Sequence, residues 1–159
     1  RLDRYKNVDR AIEAMKYLPE EFQFYIGGTG TYREELKGLI EELNLSGRVK
    51  LLGFVAEEDK YRWMKTCDVF INLSSVEAFG MTVLEALAAG APAVVNAEGG
   101  LGEFAEKFEG VSAVRIDEVS MEVLAQVIEK RFGIDFKEDL SGYNWGSIAR
   151  MTDKFYEDS

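Results

Sequence analysis

From residue 7 onward the chain alternates helical and strand periods, and this alternation restricts its fold more than any other feature. "NVDRAIEAMKYL" (7–18) repeats Val8, Ile12, Met15 and Leu18 at helical spacing, and the following "FQFYIG" (22–27) is aromatic and β-branched, as a strand would be. The same periods predict helices at 32–44, 57–67, about 80–90, 101–108, 121–132 and 145–158, and strands at 48–54, 68–74, 92–96 and 111–116. Nearly continuous apolar strands separated by helices predict an α/β fold, a doubly wound parallel sheet of Rossmann-like type, because each parallel crossover needs a helix on one face. Residues 1–159 fall within the usual size of one domain. A doubly wound fold normally opens on a strand, and none is visible before Arg1.

Charge and cysteine content narrow the chemistry. Net charge is −10, from 29 acidic against 19 basic residues, which argues against a nucleic-acid groove or a polybasic membrane patch. The chain has no histidine, so the commonest general base and the commonest zinc ligand are absent. Cys67 is the single cysteine, which excludes an internal disulfide and a thiolate metal cluster; a small buried thiol is its expected role. No apolar run approaches membrane-spanning length and "RLDRYKN" is not a signal peptide, so a cytoplasmic setting is the default expectation.

In an open α/β sheet, ligands sit at the carboxyl ends of the strands. The loops there read "GGTGT", "GFVAEE", "SSVEAFG" and "NAEGG". Glu77 lies in the third, and Glu85 stands beyond it on the other side of Gly80. On one unbroken helix they would lie about 12 Å apart along the axis and about 80° apart around it. A helix starting near Phe79-Gly80 removes that difficulty, placing Glu77 in the loop and Glu85 one turn inside the helix. The amides of Gly80, Met81 and Thr82 then lie at a helix N-terminus, where a phosphate is favoured and glycine permits close approach. From there Glu85 could accept hydroxyls of the attached group, as in a ribose clamp. The plainer alternative is that Glu77 caps the helix and Glu85 is solvated. Gly28 and Gly30 fit G-x-G, but Arg33 occupies the third glycine position of the dinucleotide fingerprint, and a tight turn explains them equally well. Arg1, Arg4 and Lys6 form a basic cluster that a helix start tolerates best when an anion offsets it.

Taken together, these segments are recognisable. "EAFGMTVLEALAAGAPAVV" carries the E-x7-E pattern of retaining GT-B glycosyltransferases and resembles the core of their family 4. In the same order, "RLDRYKNVDRAIEAM" resembles that family's G-R-L-x-x-x-K segment, "YIGGTGTYREEL" its glycine loop, "RVKLLGFV" its R-V-x-F-L-G-x-V strand and "EGGLGE" its G-G-x-x-E turn. The likeness is dense over residues 1 to about 108 and loose beyond.

The resemblance implies the C-terminal, donor-binding half of a GT-B fold, transferring sugar from a nucleotide-sugar donor with retention, without metal or cofactor. It implies that Arg1 and Lys6 contact the donor pyrophosphate and that Phe79, Gly80 and Met81 approach phosphate or sugar. Glu85 would bind the ribose, Glu77 the transferred sugar, and the Phe54-Val55 backbone the base, while Gly28 and Gly30 shape the neighbouring loop. Arg1, Lys6 and Glu77 would carry catalysis. The chain has no D-x-D triplet, consistent with the metal independence that the resemblance implies. Family members carry a central strand before the arginine and an N-terminal domain that holds the acceptor; both are expected upstream, and any membrane contact would belong to that domain. Catalysis by this half alone is not expected. A non-catalytic sugar-nucleotide sensor or scaffold and a GT-B epimerase remain open, and a Rossmann dehydrogenase is disfavoured by the broken glycine pattern.

Overall fold

The computed structural model describes residues 1–77 and 79–143, and the helix expected at 145–158 lies outside them. Five strands alternate with helices: α1 Val8–Ala14, β1 Phe24–Gly27, α2 Arg33–Glu42, β2 Val49–Gly53, α3 Glu57–Thr66, β3 Phe70–Asn72, α4 Met81–Ala89, β4 Ala93–Asn96, α5 Gly102–Lys107, β5 Val111–Val114 and α6 Met121–Arg131. Short 3-10 turns occupy Arg4–Lys6, Gly99–Leu101 and Ser141–Tyr143. Every strand pairing is parallel, as the crossover helices require. No helix among the described residues is long and apolar enough to cross a membrane.

The sheet departs from the single one expected. β1 pairs with β2, and β3, β4 and β5 form a second ladder in that order, with no described strand joining β1 to β3. Packing unites the two. Leu2, Ile26, Leu36 and Val49 share one core with Leu73, Val94, Ile116, Leu124 and Ile128. β4 is buried at all four positions, with Val94 in that core and Val95 in a second one built by Val83, Leu84, Leu87, Leu101, Phe104 and Phe108. Alternating side chains thus bury both faces of the strand.

Helix ends follow local chemistry. α1 stops at Ala14, four residues short of its apolar period. Pro19 restrains Leu18, and the last turn tightens to i→i+3 bonds from Met15, Lys16 and Tyr17 to Ile12, Glu13 and Ala14. Met15 and Leu18 stay buried in the tightened turn. Gly90, at φ 92°, closes α4 with its N–H on the carbonyls of Ala86 and Leu87, and Pro92 follows. Ser120 opens α6 by accepting from the Val123 amide at 3.2 Å. At the other end Arg131 donates to Ser112 Oγ and to the carbonyls of Glu109 and Val111, tying α6 to β5.

Candidate functional site at the strand ends

The N-terminal segment crosses the carboxyl ends of β1 and β3. Leu2 donates its N–H to Thr29 O and accepts from Tyr32 N, while Tyr5 O accepts from Ser75 N. Asn7, held at φ 52°, donates through Nδ2 to Leu73 O and Ser75 Oγ, both at 2.8 Å. Asparagine tolerates the left-handed backbone better than most residues, and here its amide is held by partners across the fold. These bonds fix the Arg4–Lys6 turn against the loop after β3.

Lys6 is thereby brought beside Glu77. Its Nζ lies 3.0 Å from Glu77 Oε2, with both side chains about three-quarters buried at 25% and 23% exposure. Glu77 therefore does not cap α4. The N-cap is Gly80, at φ 71°, with no side-chain cap and no acid in the first turn. Val83 N bonds back to Gly80 O at 2.9 Å, and the amides of Met81 and Thr82 before it lie at the open helix N-terminus, which keeps its partial positive charge. Thr82 Oγ1 accepts from Asn72 Nδ2 at 3.3 Å, linking the first turn of α4 to the end of β3. Phe79 packs against the second core, which directs its side chain inward.

Glycine in "AFGMT" has a packing reason as well as a backbone one. A Cβ at Gly80 would stand 2.5 Å from Leu101 Cδ2 and 2.9 Å from Phe104 Cε2. The loop after β1 uses its glycines differently: a Cβ at Gly30 would lie 2.1 Å from Leu2 O, and Gly28, at φ 127°, stands against the Leu2 side chain. Both let the N-terminal segment lie close over the loop. Phe54 is 82% exposed, and the neighbouring Val55 side chain packs near Gly27. Arg1 is exposed and pairs with Asp3, and Arg4 pairs with Glu35 and lies over the Tyr32 ring.

Glu85 sits one turn into α4, 21% exposed, with Oε2 2.8 Å from Lys60 Nζ. That contact is a charge pair without an aligned hydrogen bond, since Oε2 is buried with no hydrogen-bond partner of its own. Lys60 also meets Glu57 at 2.7 Å. Burial works against the ammonium, but Glu57 and Glu85 outweigh it and raise its pKa above the ordinary lysine value. The sequence does not single out Lys60; the only signal there is its i,i+3 spacing from Glu57. Asn72 and Asn96 escape sequence reasoning too, although each ends an apolar strand. Asn96 is fully buried; its Oδ1 accepts from Glu98 N and Ile116 N, and its Nδ2 donates to Ser75 Oγ. It anchors the fourth loop to the third.

Cys67 is half-buried and donates to Met64 O at 3.4 Å. Burial first, then the nearby Asp68 charge, pushes its thiol pKa up. Less thiolate exists at neutral pH than in a free cysteine, so alkylation by iodoacetamide should run slower than for a free thiol at pH 7 and should still be climbing with pH where the free thiol's rate has levelled off. Labelling rates from pH 7 to 10, followed by mass spectrometry, check this; an enhanced rate at pH 7 would contradict it.

The model of the family described as glycosyl transferases group 1 matches residues 1–133. An uncharacterized glycosyltransferase of Methanocaldococcus jannaschii is 30% identical over 99% of this chain and 43% of its own length. The mannosylfructose-phosphate synthase of Agrobacterium fabrum is 34% identical over 64% of this chain and 25% of its own. Among solved structures, Anabaena HepE in complex with UDP and glucose superposes with a TM-score of 0.71 at 30% identity, covering 82% of this chain and 36% of that one. Sucrose-phosphate synthase from Thermosynechococcus elongatus shares the fold, with a TM-score of 0.78 at 24% identity over 98% of this chain and 43% of its own. The chain spans less than half the length of these relatives.

Proposed function

Because the chain belongs to the glycosyl transferases group 1 family, we propose that it is the donor-binding unit of a retaining glycosyltransferase that uses a nucleoside-diphosphate sugar. The observation that carries this reading is the convergence, at one end of the strands, of the Lys6–Glu77 pair, the uncapped N-terminus of α4 at Gly80, and Glu85 one turn further in. A diphosphate takes the helix end and Lys6, Glu85 accepts the ribose hydroxyls, and Glu77 holds the sugar. The backbone at Phe54-Val55, directly after the end of β2 and beside the exposed Phe54 side chain, meets the base. HepE, solved with UDP and glucose, supports a diphosphate ligand by likeness.

As the anomeric carbon–oxygen bond breaks, its electron pair passes to the diphosphate oxygen. Lys6, Arg1 and the amides of Met81 and Thr82 stabilise that charge, in a role that needs no metal ion or cofactor. An N-terminal domain holds the acceptor and closes the cleft against water. β1 and β3 each have one edge unpaired among the described residues, and Leu2 enters beside Thr29, which supports a further strand preceding Arg1.

Calorimetric titration with UDP, GDP and ADP and their glucose conjugates tests the reading. One nucleotide should bind selectively, and Glu85→Ala should weaken it about ten- to hundredfold, the worth of hydrogen bonds to a charged group. No binding by the folded full-length protein, or an unchanged affinity in the variant, would overturn it.

A further inference from the structure

We propose that Lys60 is a positioning residue for ribose recognition, holding the Glu85 carboxylate in the orientation that accepts the hydroxyls and joining it to the loop that meets the base. This rests on the assignment of Glu85 to the ribose. Lys60 lies in the first turn of α3, directly after the loop Phe54–Ala56 that ends β2. Glu57, on its own helix, would suffice as the partner of an ordinary surface lysine. Instead Nζ stands between two helices, 2.7 Å from Glu57 Oε1 and 2.8 Å from Glu85 Oε2.

The asymmetry of the two carboxylates decides what that cation does. Glu57 is 83% exposed, and water screens its pair heavily. Glu85 is 21% exposed, and its Oε2 is buried with no hydrogen bond, so Lys60 is the countercharge keeping that oxygen inside. With Oε2 held inward, the remaining exposure of the side chain falls on its other atoms, and the ribose hydroxyls are assigned to Oε1, the oxygen that Lys60 leaves free. Two carboxylates against one ammonium also leave net negative charge at the cluster, so Glu85 keeps its strength as an acceptor. Removing Lys60 frees the carboxylate to rotate toward water, and a ribose hydroxyl would then have to compete with solvent for it.

A deoxyribose comparison isolates this role. Dissociation constants are measured on the full-length protein for UDP, GDP and ADP and their 2′-deoxy counterparts, in wild type, Glu85→Gln, Lys60→Met and Lys60→Arg. Wild type should prefer the ribonucleotide that binds by about tenfold or more, an ionic hydrogen bond's worth. Glu85→Gln and Lys60→Met should bring the ratio toward one, and Lys60→Arg should keep most of it. Lys60→Gln gives the same reading if the methionine variant is not recovered folded. If Lys60→Met weakens both nucleotides by one common factor, or changes neither, while Glu85→Gln abolishes the preference, Lys60 serves only as a general tie between α3 and α4 and the proposal fails alone. If wild type shows no preference, or binds none of the three nucleotides, the ribose assignment of Glu85 falls and takes the proposal with it.

Discussion

Gly80→Ala is expected to destabilise the fold by roughly 2–5 kcal/mol, the sum of a left-handed backbone forced on an L-residue and a methyl forced into a filled core. The backbone part follows from φ 71° at the N-cap of α4. The packing part follows from Leu101 and Phe104, 0% and 5% exposed, whose Cδ2 and Cε2 atoms would lie 2.5 and 2.9 Å from the new Cβ. Neither ring nor branch can swing into solvent from there. Gly90 separates the two contributions, because it has φ 92° but no atom within 4 Å of the place a Cβ would take. Gly90→Ala should therefore cost only the backbone part, about 1–2 kcal/mol. Urea unfolding of the two variants beside wild type checks the difference; equal losses would mean that the second core yields at Leu101 and Phe104. Since whole domains are stable by only about 5–15 kcal/mol, the Gly80 variant should also be visibly impaired in thermal melts. Any methyl that did fit would tilt the first turn of α4, so nucleotide affinity should fall along with stability.

Much of this architecture is legible in the sequence because it depends on local periodicity. The apolar stripe Leu36, Ile40 specifies α2, and "PAVV" specifies a strand buried on both faces. Element ends are less legible where two local preferences compete. The apolar period of α1 runs on to Leu18, but Pro19 tightens the last turn, so burial continues after the helix has stopped. Sheet continuity is not legible at all. Periodicity identifies strands and leaves their neighbours unspecified, and the division between β1 and β3 lies in long-range pairing.

At the candidate site, residues with a backbone signature are legible: Gly80 between apolar neighbours marks a helix start, and the glutamates on either side take their places from it. Pairings made across the fold are not. Lys6 meets Glu77 across 71 residues of sequence, and Lys60 meets Glu85 across two helices. A lysine in "EEDKYRW" looks like any solvated helix position until α4 is packed beside it. The strand-end asparagines are hidden for a related reason, since their value lies in satisfying loop amides that only the tertiary fold buries.

Lys6 and Glu77 make the sharpest charge prediction, because they oppose each other in sign at the place proposed for the diphosphate. Lys6→Met keeps the aliphatic stem, removes the cation and leaves Glu77 unpaired toward an anion. UDP affinity, or that of whichever nucleotide binds, should fall by about 1.5–3 kcal/mol, roughly ten- to hundredfold. Glu77→Gln should act the other way on the nucleotide alone: with its carboxylate neutralised, Lys6 is released to the phosphate, and UDP should bind as well or better. Turnover of the sugar donor should nevertheless drop in that variant, since Glu77 is assigned to the sugar. Combining the two changes is the decisive step, because part of the loss in Lys6→Met comes from the stranded Glu77 charge. The double variant should therefore bind nucleotide more tightly than Lys6→Met alone, and raising salt should narrow the gap between them as it screens the partly exposed carboxylate. Strictly additive effects would show that Lys6 and Glu77 act on the ligand independently and that their 3.0 Å pair plays no part in binding, and weaker nucleotide binding in Glu77→Gln would mean that Glu77 is assigned to the wrong part of the donor.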